Sequence, residues 1–131
     1  MEIPFRAVLL DWLSTDAALP DALNTISEEA PSRSALPWLA ISASSSTGWG
    51  TKDVAGREVR IALELHTRGD TSLADAALVA AIERRIEGLP ADQSAAGFRI
   101  ASLVFTRARA EQRGEASRAM LLEYRARLLA A

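Results

Sequence analysis

From Arg57 to Thr67 the chain alternates. Val59, Ile61, Leu63 and Leu65 fall on one side, and Arg60, Ala62, Glu64 and His66 on the other. A period of two held over that length is a strand with one buried face and one wet face. Such a strand needs neighbours to pair with and a layer to cover its apolar face. The segment after it supplies the layer. Gly69-Asp70-Thr71 stops the strand, and Asp70, Thr71 and Ser72 are capping residue types. A helix is predicted from there to about Glu87, with Asp75 in its first turn and Gly88 and Pro90 at its end. Its stripe of Leu73, Ala76, Ala77, Ala80, Ile82 and Ile86 is wide and rich in small residues. That suits close packing on a sheet.

The pairing strands come from both sides. Trp38 to Ser44 reads as extended and enters a linking loop of about a dozen residues. Loops of that length without structure of their own tend to be functional or mobile. Phe98 to Arg109 places Phe98, Ile100, Ser102, Val104 and Thr106 on one face, with Leu103 and Phe105 on the other. Ala116 to Leu128 places Ala116, Met120, Leu122, Tyr124 and Leu128 on one face and Leu121, Glu123, Arg125 and Arg127 on the other. Leu, Glu, Arg and Ala also favour a helix in that last segment. The turn Gln112-Arg113-Gly114 favours the hairpin.

Ahead of these strands, Phe5, Val8, Leu9, Trp12 and Leu13 make a helix face. A second short turn follows over Asp16 to Ile26, broken at Pro20. Pro31 and Pro37 mark residues 27–37 as a connector. The expected class is α+β, in the order α-β-β-α-β-β. One antiparallel sheet of about four strands carries helices mainly on one face. At 131 residues the whole chain, 1–131, is expected to be a single domain.

Composition narrows the function. Net charge is −2, which provides no overall pull on nucleic acid or an anionic membrane. There is no cysteine, so disulfides and thiolate metal sites are excluded. No apolar run approaches the ~20 residues of a bilayer span. Met1-Glu2-Ile3-Pro4 has neither a basic n-region nor an apolar h-region, so no secretory signal is expected. The charge is unevenly spread. Residues 1–30 hold Glu2, Asp11, Asp16, Asp21, Glu28 and Glu29 against Arg6, whereas residues 97–131 hold Arg99, Arg107, Arg109, Arg113, Arg118, Arg125 and Arg127 against Glu111, Glu115 and Glu123. These charges either pair within the chain or form complementary surfaces on neighbouring copies.

Catalytic chemistry finds no foothold. His66 is the lone histidine, near Asp70 and several serines, but no G-x-S-x-G elbow is present. No second histidine or carboxylate cluster offers metal ligands. Gly48-x-Gly50 lacks the further glycine and the helix start of a phosphate loop. No residue is therefore assigned a catalytic, cofactor-binding or metal-binding role, and no cofactor is expected. Aromatics are few and acids interleave with the arginines, so no sequence-specific nucleic-acid partner and no membrane partner are expected. Trp12 and Trp38 read as core. Trp49, between Gly48 and Gly50 in a polar turn, either folds back over the sheet or anchors a partner. The interface candidates are Trp49, Lys52, Arg107, Arg109, Arg113, Arg125 and Arg127.

Several segments in order resemble a known family. Asp16-Ala17-Ala18-Leu19 follows an N-terminal helix, and Pro37-Trp38-Leu39-Ala40-Ile41 leads to Trp49-Gly50-Thr51-Lys52. Leu65-His66-Thr67-Arg68-Gly69 closes a strand before an alanine-rich helix, then come Gly97-Phe98-Arg99-Ile100 and Tyr124-Arg125-Ala126-Arg127. Taken over nearly the whole chain, this is similar to the tail terminator (tail-completion, head-to-tail joining) proteins of long-tailed phages, especially the versions in gene transfer agents. Residues Glu115 to Leu122 depart from the family pattern, in which an aromatic or histidine with glycine is common. The resemblance implies a homo-oligomeric ring, usually of six subunits, seated on the finished tail tube. It stops tube polymerisation and joins the head connector or stopper, without turnover or cofactor. The place of action implied is the cytoplasm during assembly, then a phage-like particle. The rival class is a small α+β enzyme or small-molecule binder, which would need a concave pocket of polar groups around His66.

Overall fold

A computed structural model of the protein describes residues 1–31, 35–68, 72–112 and 117–131. Among the described residues three α-helices and a short 3-10 turn (Ser94–Ala96) lie with a six-stranded, strongly curled sheet. In chain order they are α1 (Glu2–Ser14), α2 (Leu19–Ala22), β1 (Thr25–Ser27), β2 (Trp38–Gly48), β3 (Gly56–Thr67), α3 (Ser72–Glu87), β4 (Asp92–Gln93), β5 (Phe98–Gln112) and β6 (Arg118–Ala130). The order across the sheet is β1-β2-β3-β6-β5-β4. The four long strands are those expected, and they pair antiparallel. Two short edge strands extend the expected four, and β1 runs parallel to β2, so the sheet is mixed.

β1 was legible only as part of a helical turn. Pro20 does not break that turn but lies in the first turn of α2, where its missing N–H leaves no bond unmade. Asp16 Oδ2 accepts the amides of Ala18 and Leu19, each at 3.0 Å, and so starts the turn. Asn24 then ties this segment to the sheet. Its backbone N–H donates to Pro37 O at 2.8 Å and its Nδ2 to Leu36 O at 2.8 Å, which lays Thr25–Ser27 along Trp38–Ala40.

The core lies between the helices and one face of the sheet. Phe5, Leu9 and Leu13 of α1, Ile82 and Ile86 of α3, and Val59, Ile61, Leu63 and Leu65 of β3 are all buried. The alternation in β3 holds over its length because both neighbouring strands run in continuous register with it except at Ile41/Ala43 of β2. β5 departs from strict alternation. Its register with β6 shifts between Ile100 and Ser102 and again between Phe105 and Arg107. Each extra residue turns the following side chains to the other face. Phe98, Ile100, Leu103 and Phe105 therefore share the helix-side face, opposite Ala130, Leu128, Ala126 and Tyr124. Phe105 meets Tyr124 edge to face, with centroids 5.6 Å apart.

In β6 the even-numbered residues from Leu122 to Leu128 face the core, as expected, and the strand rather than the helix forms. Ala119 and Leu121 are buried on the opposite face as well. Their β3 partners are His66 and Glu64, and the Trp38 indole stacks on the His66 ring at 4.0 Å. That stack closes one end of the face that carries no helix.

The α3 stripe is narrower than expected. Ile82 and Ile86 are buried, but Ala76, Ala77 and Ala80 are exposed and Leu73 is 86% exposed. The helix leans on α1 and α2. Its N-terminal half flanks a groove of about 360 Å³ lined by Leu65, Val79, Ala80, Ala110 and Met120 among others, at whose end Thr67 Oγ1 of β3 donates to Asp75 Oδ2 at 2.9 Å. The proposed caps Asp70 and Thr71 lie outside the described residues, and so does the turn at Arg113-Gly114.

Trp12 is half-buried rather than core, because it latches α1 to α3. Its Nε1 donates to Arg85 O at 2.7 Å, and the Arg85 guanidinium lies 3.4 Å above the indole centroid. Arg85 Nε donates to Trp12 O at 2.8 Å, and the same side chain reaches Thr15 Oγ1 and Asp16. Arg85→Ala is expected to cost about 1–3 kcal/mol, since it removes a cation–π contact and a charged hydrogen bond to a carbonyl. A thermal melt should show a drop of several degrees. Arg85→Lys should rescue little, because an ammonium cannot lie flat on the ring and reach both acceptors. An unchanged melt for Arg85→Ala would remove the latch.

Candidate assembly surface

The helices cover one face of the sheet. The other face carries the arginines. Cross-strand register brings Glu58 opposite Arg127, Arg60 opposite Arg125, and Glu123 opposite Arg107. Arg60 and Arg125 are like charges directly opposed, which is unfavourable unless an acid lies between them. Glu58 provides it. Its carboxylate accepts Arg127 Nε at 3.1 Å and contacts Arg60 at 3.5 Å and Arg125 at 4.0 Å. On the next strand Glu123 accepts from Arg107 and also contacts Arg109 at 3.7 Å, and Arg109 reaches Glu111 at 3.3 Å. Five arginines thus share three carboxylates, Glu58, Glu111 and Glu123. The balance on this strip is positive although the chain is acidic. Arg125 Nε is buried without a hydrogen-bond partner among the described residues, 4.0 Å from Glu58 Oε1.

Register is what sequence spacing could not show. The arginines were visible as candidates, and Glu123 falls on the same face as Arg125 and Arg127 by alternation, but Glu58 carries no such signal because it lies on another strand. Arg107 and Arg109 are brought together by Glu123, and Arg125 and Arg127 by Glu58. Arg113 lies outside the described residues. Lys52 is exposed in the turn between β2 and β3.

That turn is shorter than expected. β2 continues through Ser44–Gly48, so the connection is residues 49–55. It is also built. Trp49 N–H donates to Gly56 O at 3.1 Å, Thr51 N–H to Val54 O at 2.9 Å, and Thr51 Oγ1 accepts the Val54 amide at 3.0 Å. A Cβ at Gly56 would lie 1.9 Å from Trp49 O, so only glycine permits this approach. The indole of Trp49 is half-buried, with the Arg127 guanidinium 5.4 Å from its centroid. Trp49 therefore adjoins the arginine strip while keeping part of its surface in water.

The charged bonds lower the Glu58 carboxyl below its ordinary value, first through the Arg127 hydrogen bond and then through the Arg60, Arg127 and Arg125 charges. Glu2 is lowered by Ser44, Ser46 and Arg6, Asp16 by the Ala18 and Leu19 amides, and Asp92 by Ser94. Each group binds protons more weakly folded than unfolded. Its stabilisation is complete above the unfolded value and is lost as pH falls through the folded one. Melting temperature is expected to decline from about pH 5 downward. Glu58→Gln should flatten that decline. An equal acid slope in parent and variant would show that Glu58 does not contribute to it.

His66 packs against Trp38 and Glu64. Its Nε2 lies 2.7 Å from Glu64 Oε1 beneath the Trp38 indole. Asp70 lies outside the described residues. Among the described residues no group of three potential metal ligands is gathered, and no helix is long and apolar enough to cross a membrane.

Comparison with known proteins decides the family. Tail completion protein gp17 matches residues 7–129. The chain belongs to that family. The chain also shares its fold with a chain in a solved structure described as the virion of a native gene transfer agent particle. That match has a TM-score of 0.74 at 20% identity, over 95% of this chain and 93% of the other. No curated protein matches. The family named by the resemblance is thus found, and the α+β class expected from periodicity is that of the structure. The family is a structural one, defined by tail completion rather than by a reaction.

Proposed function

We propose that this tail completion protein acts as a single domain that forms a homo-oligomeric ring, of six copies, on the end of a tail tube. There it stops tube growth and presents the surface for the head connector, in a phage-like particle or gene transfer agent. The observation that carries the reading is the family match over residues 7–129. The fold shared with a gene transfer agent virion chain supports it. The positive strip of Arg107, Arg109, Arg125 and Arg127 supports a contact with acidic residues of a neighbouring copy. Lys52, exposed in the turn 49–55, is assigned to the same contact, and so is Arg113, which lies outside the described residues. Trp49 is the aromatic anchor for the tube or neighbour. Assembly takes place in the cytoplasm, and the protein then stays in the particle. The test is deletion of the gene from a particle-producing strain. Abnormally long or headless tails are expected, with native mass of the added-back protein on tubes giving the ring size. Particles of normal length and full transfer would refute the reading.

A further inference from the structure

The sheet ends in two edges that its own strands leave uncovered. β1 pairs with β2 only over Trp38–Ala40. β4 pairs with β5 only at Phe98 and Arg99. Among the described residues no strand lies against the outer side of residues 41–48 of β2 or 101–112 of β5. Long bare edges are templates for strand addition, and proteins that must stay apart blunt them with proline, lysine or inward charge. Residues 41–48 of β2 read Ile-Ser-Ala-Ser-Ser-Ser-Thr-Gly, with no charge and no proline. β5 exposes Val104 and Phe105 by 41% and 42% on its opposite faces. Apolar side chains wet on both faces of an edge strand mark a surface that gains by being covered.

The two edges also fit each other. β2, β3, β6 and β5 pair antiparallel in succession, so β5 runs opposite to β2. Rotation about an axis along the strands preserves each direction, and the β2 of the next copy would lie antiparallel to β5. The same rotation makes the contact head-to-tail, the type that closes rings. The side chains are complementary. On the helix-free face β2 offers Ala43, Ser45 and Thr47, and β5 offers Arg107 and Arg109. These small residues leave room for long guanidinium side chains, and the hydroxyls of Ser45 and Thr47 can accept their N–H groups.

We propose that the outer edge of β5, residues 101–112, pairs antiparallel with the β2 edge, residues 41–48, of a second copy, so that one sheet continues from subunit to subunit. The inference deepens the ring reading above and rests on it. Main-chain hydrogen bonds then supply much of the contact, and side chains set the register. The test compares amide hydrogen exchange of the full-length protein as free chain and as assembled ring or particle, with native mass establishing the state of each sample. Exchange in both 41–48 and 101–112 is expected to slow together by about 100-fold or more on assembly. A ring in which either segment exchanges as fast as in the free chain overturns the edge pairing and leaves the ring reading standing. Absence of any ring, free or on tubes, overturns both. Proline scanning is the second arm. Successive strand amides point to opposite sides, so one of Ser45→Pro and Ser46→Pro removes an amide facing β3 and the other an amide facing the open edge. One variant is expected to melt like the parent yet fail to assemble. A parent-like melt together with parent-like ring formation in that variant overturns the proposal.

Discussion

Ile82→Asp is expected to unfold the protein. Ile82 has no exposed surface and belongs to the cluster that joins α3 to the sheet through Leu63, Leu65 and Leu122. The substitution removes about 1.5–3 kcal/mol of apolar burial. It also places a carboxylate where the described surroundings are apolar, at a cost of several kcal/mol even after the group takes up a proton. Total stabilities of about 5–15 kcal/mol leave little margin for that sum. Far-ultraviolet circular dichroism at 25 °C should show loss of the cooperative melt. Ile82→Val, which trims a methylene group, should cost only about 0.5–1.5 kcal/mol and keep the transition. A soluble Ile82→Asp variant with the parent melting temperature would take α3 out of the core.

The second large effect is expected in assembly rather than stability. Trp49→Ala should cost the isolated chain about 1 kcal/mol, because the indole is only half-buried and its cation–π contact with Arg127 is long at 5.4 Å. In tail completion the same truncation should lose far more, about 2 kcal/mol or greater per interface, a factor repeated at every subunit of a ring. Tails should be long or headless in electron micrographs, with transfer reduced by at least tenfold. The matching charge variant is Arg125→Gln with Arg127→Gln. Reversal to glutamate would crowd both new acids against Glu58 and destabilise the strand pair itself. Neutralisation should weaken ring closure and its dependence on salt while sparing most of the fold. Normal tail length and full transfer in both variants would remove Trp49 and these arginines from the interface. A loss of many degrees in the Trp49→Ala melt would instead make the indole a structural residue.

Much of the architecture follows from short-range pattern. The two-residue period of β3 had to form a strand with Val59, Ile61, Leu63 and Leu65 inward, since no helix collects those residues on one side. The end of α3 at Gly88 and Pro90 is likewise local, as Gly88 N–H returns to Arg84 O and Arg85 O. The absence of cysteine and the order of family segments were also present in the residues alone. Other features depend on partners far along the chain. The faces of β5 turn at two bulges that only the register against β6 places. β1 exists because Asn24 meets the carbonyls of Leu36 and Pro37, which no three-residue propensity encodes. Glu58 becomes the acid shared by Arg60, Arg125 and Arg127 only when β3 and β6 lie side by side. Trp12 leaves the core because Arg85, seventy-three residues away, takes its indole face and its carbonyl. Hydrophobic periodicity is a property of neighbouring residues and can be read from them. Register, bulges and shared ion pairs are properties of two strands or helices at once, and they take their form when the chain closes on itself.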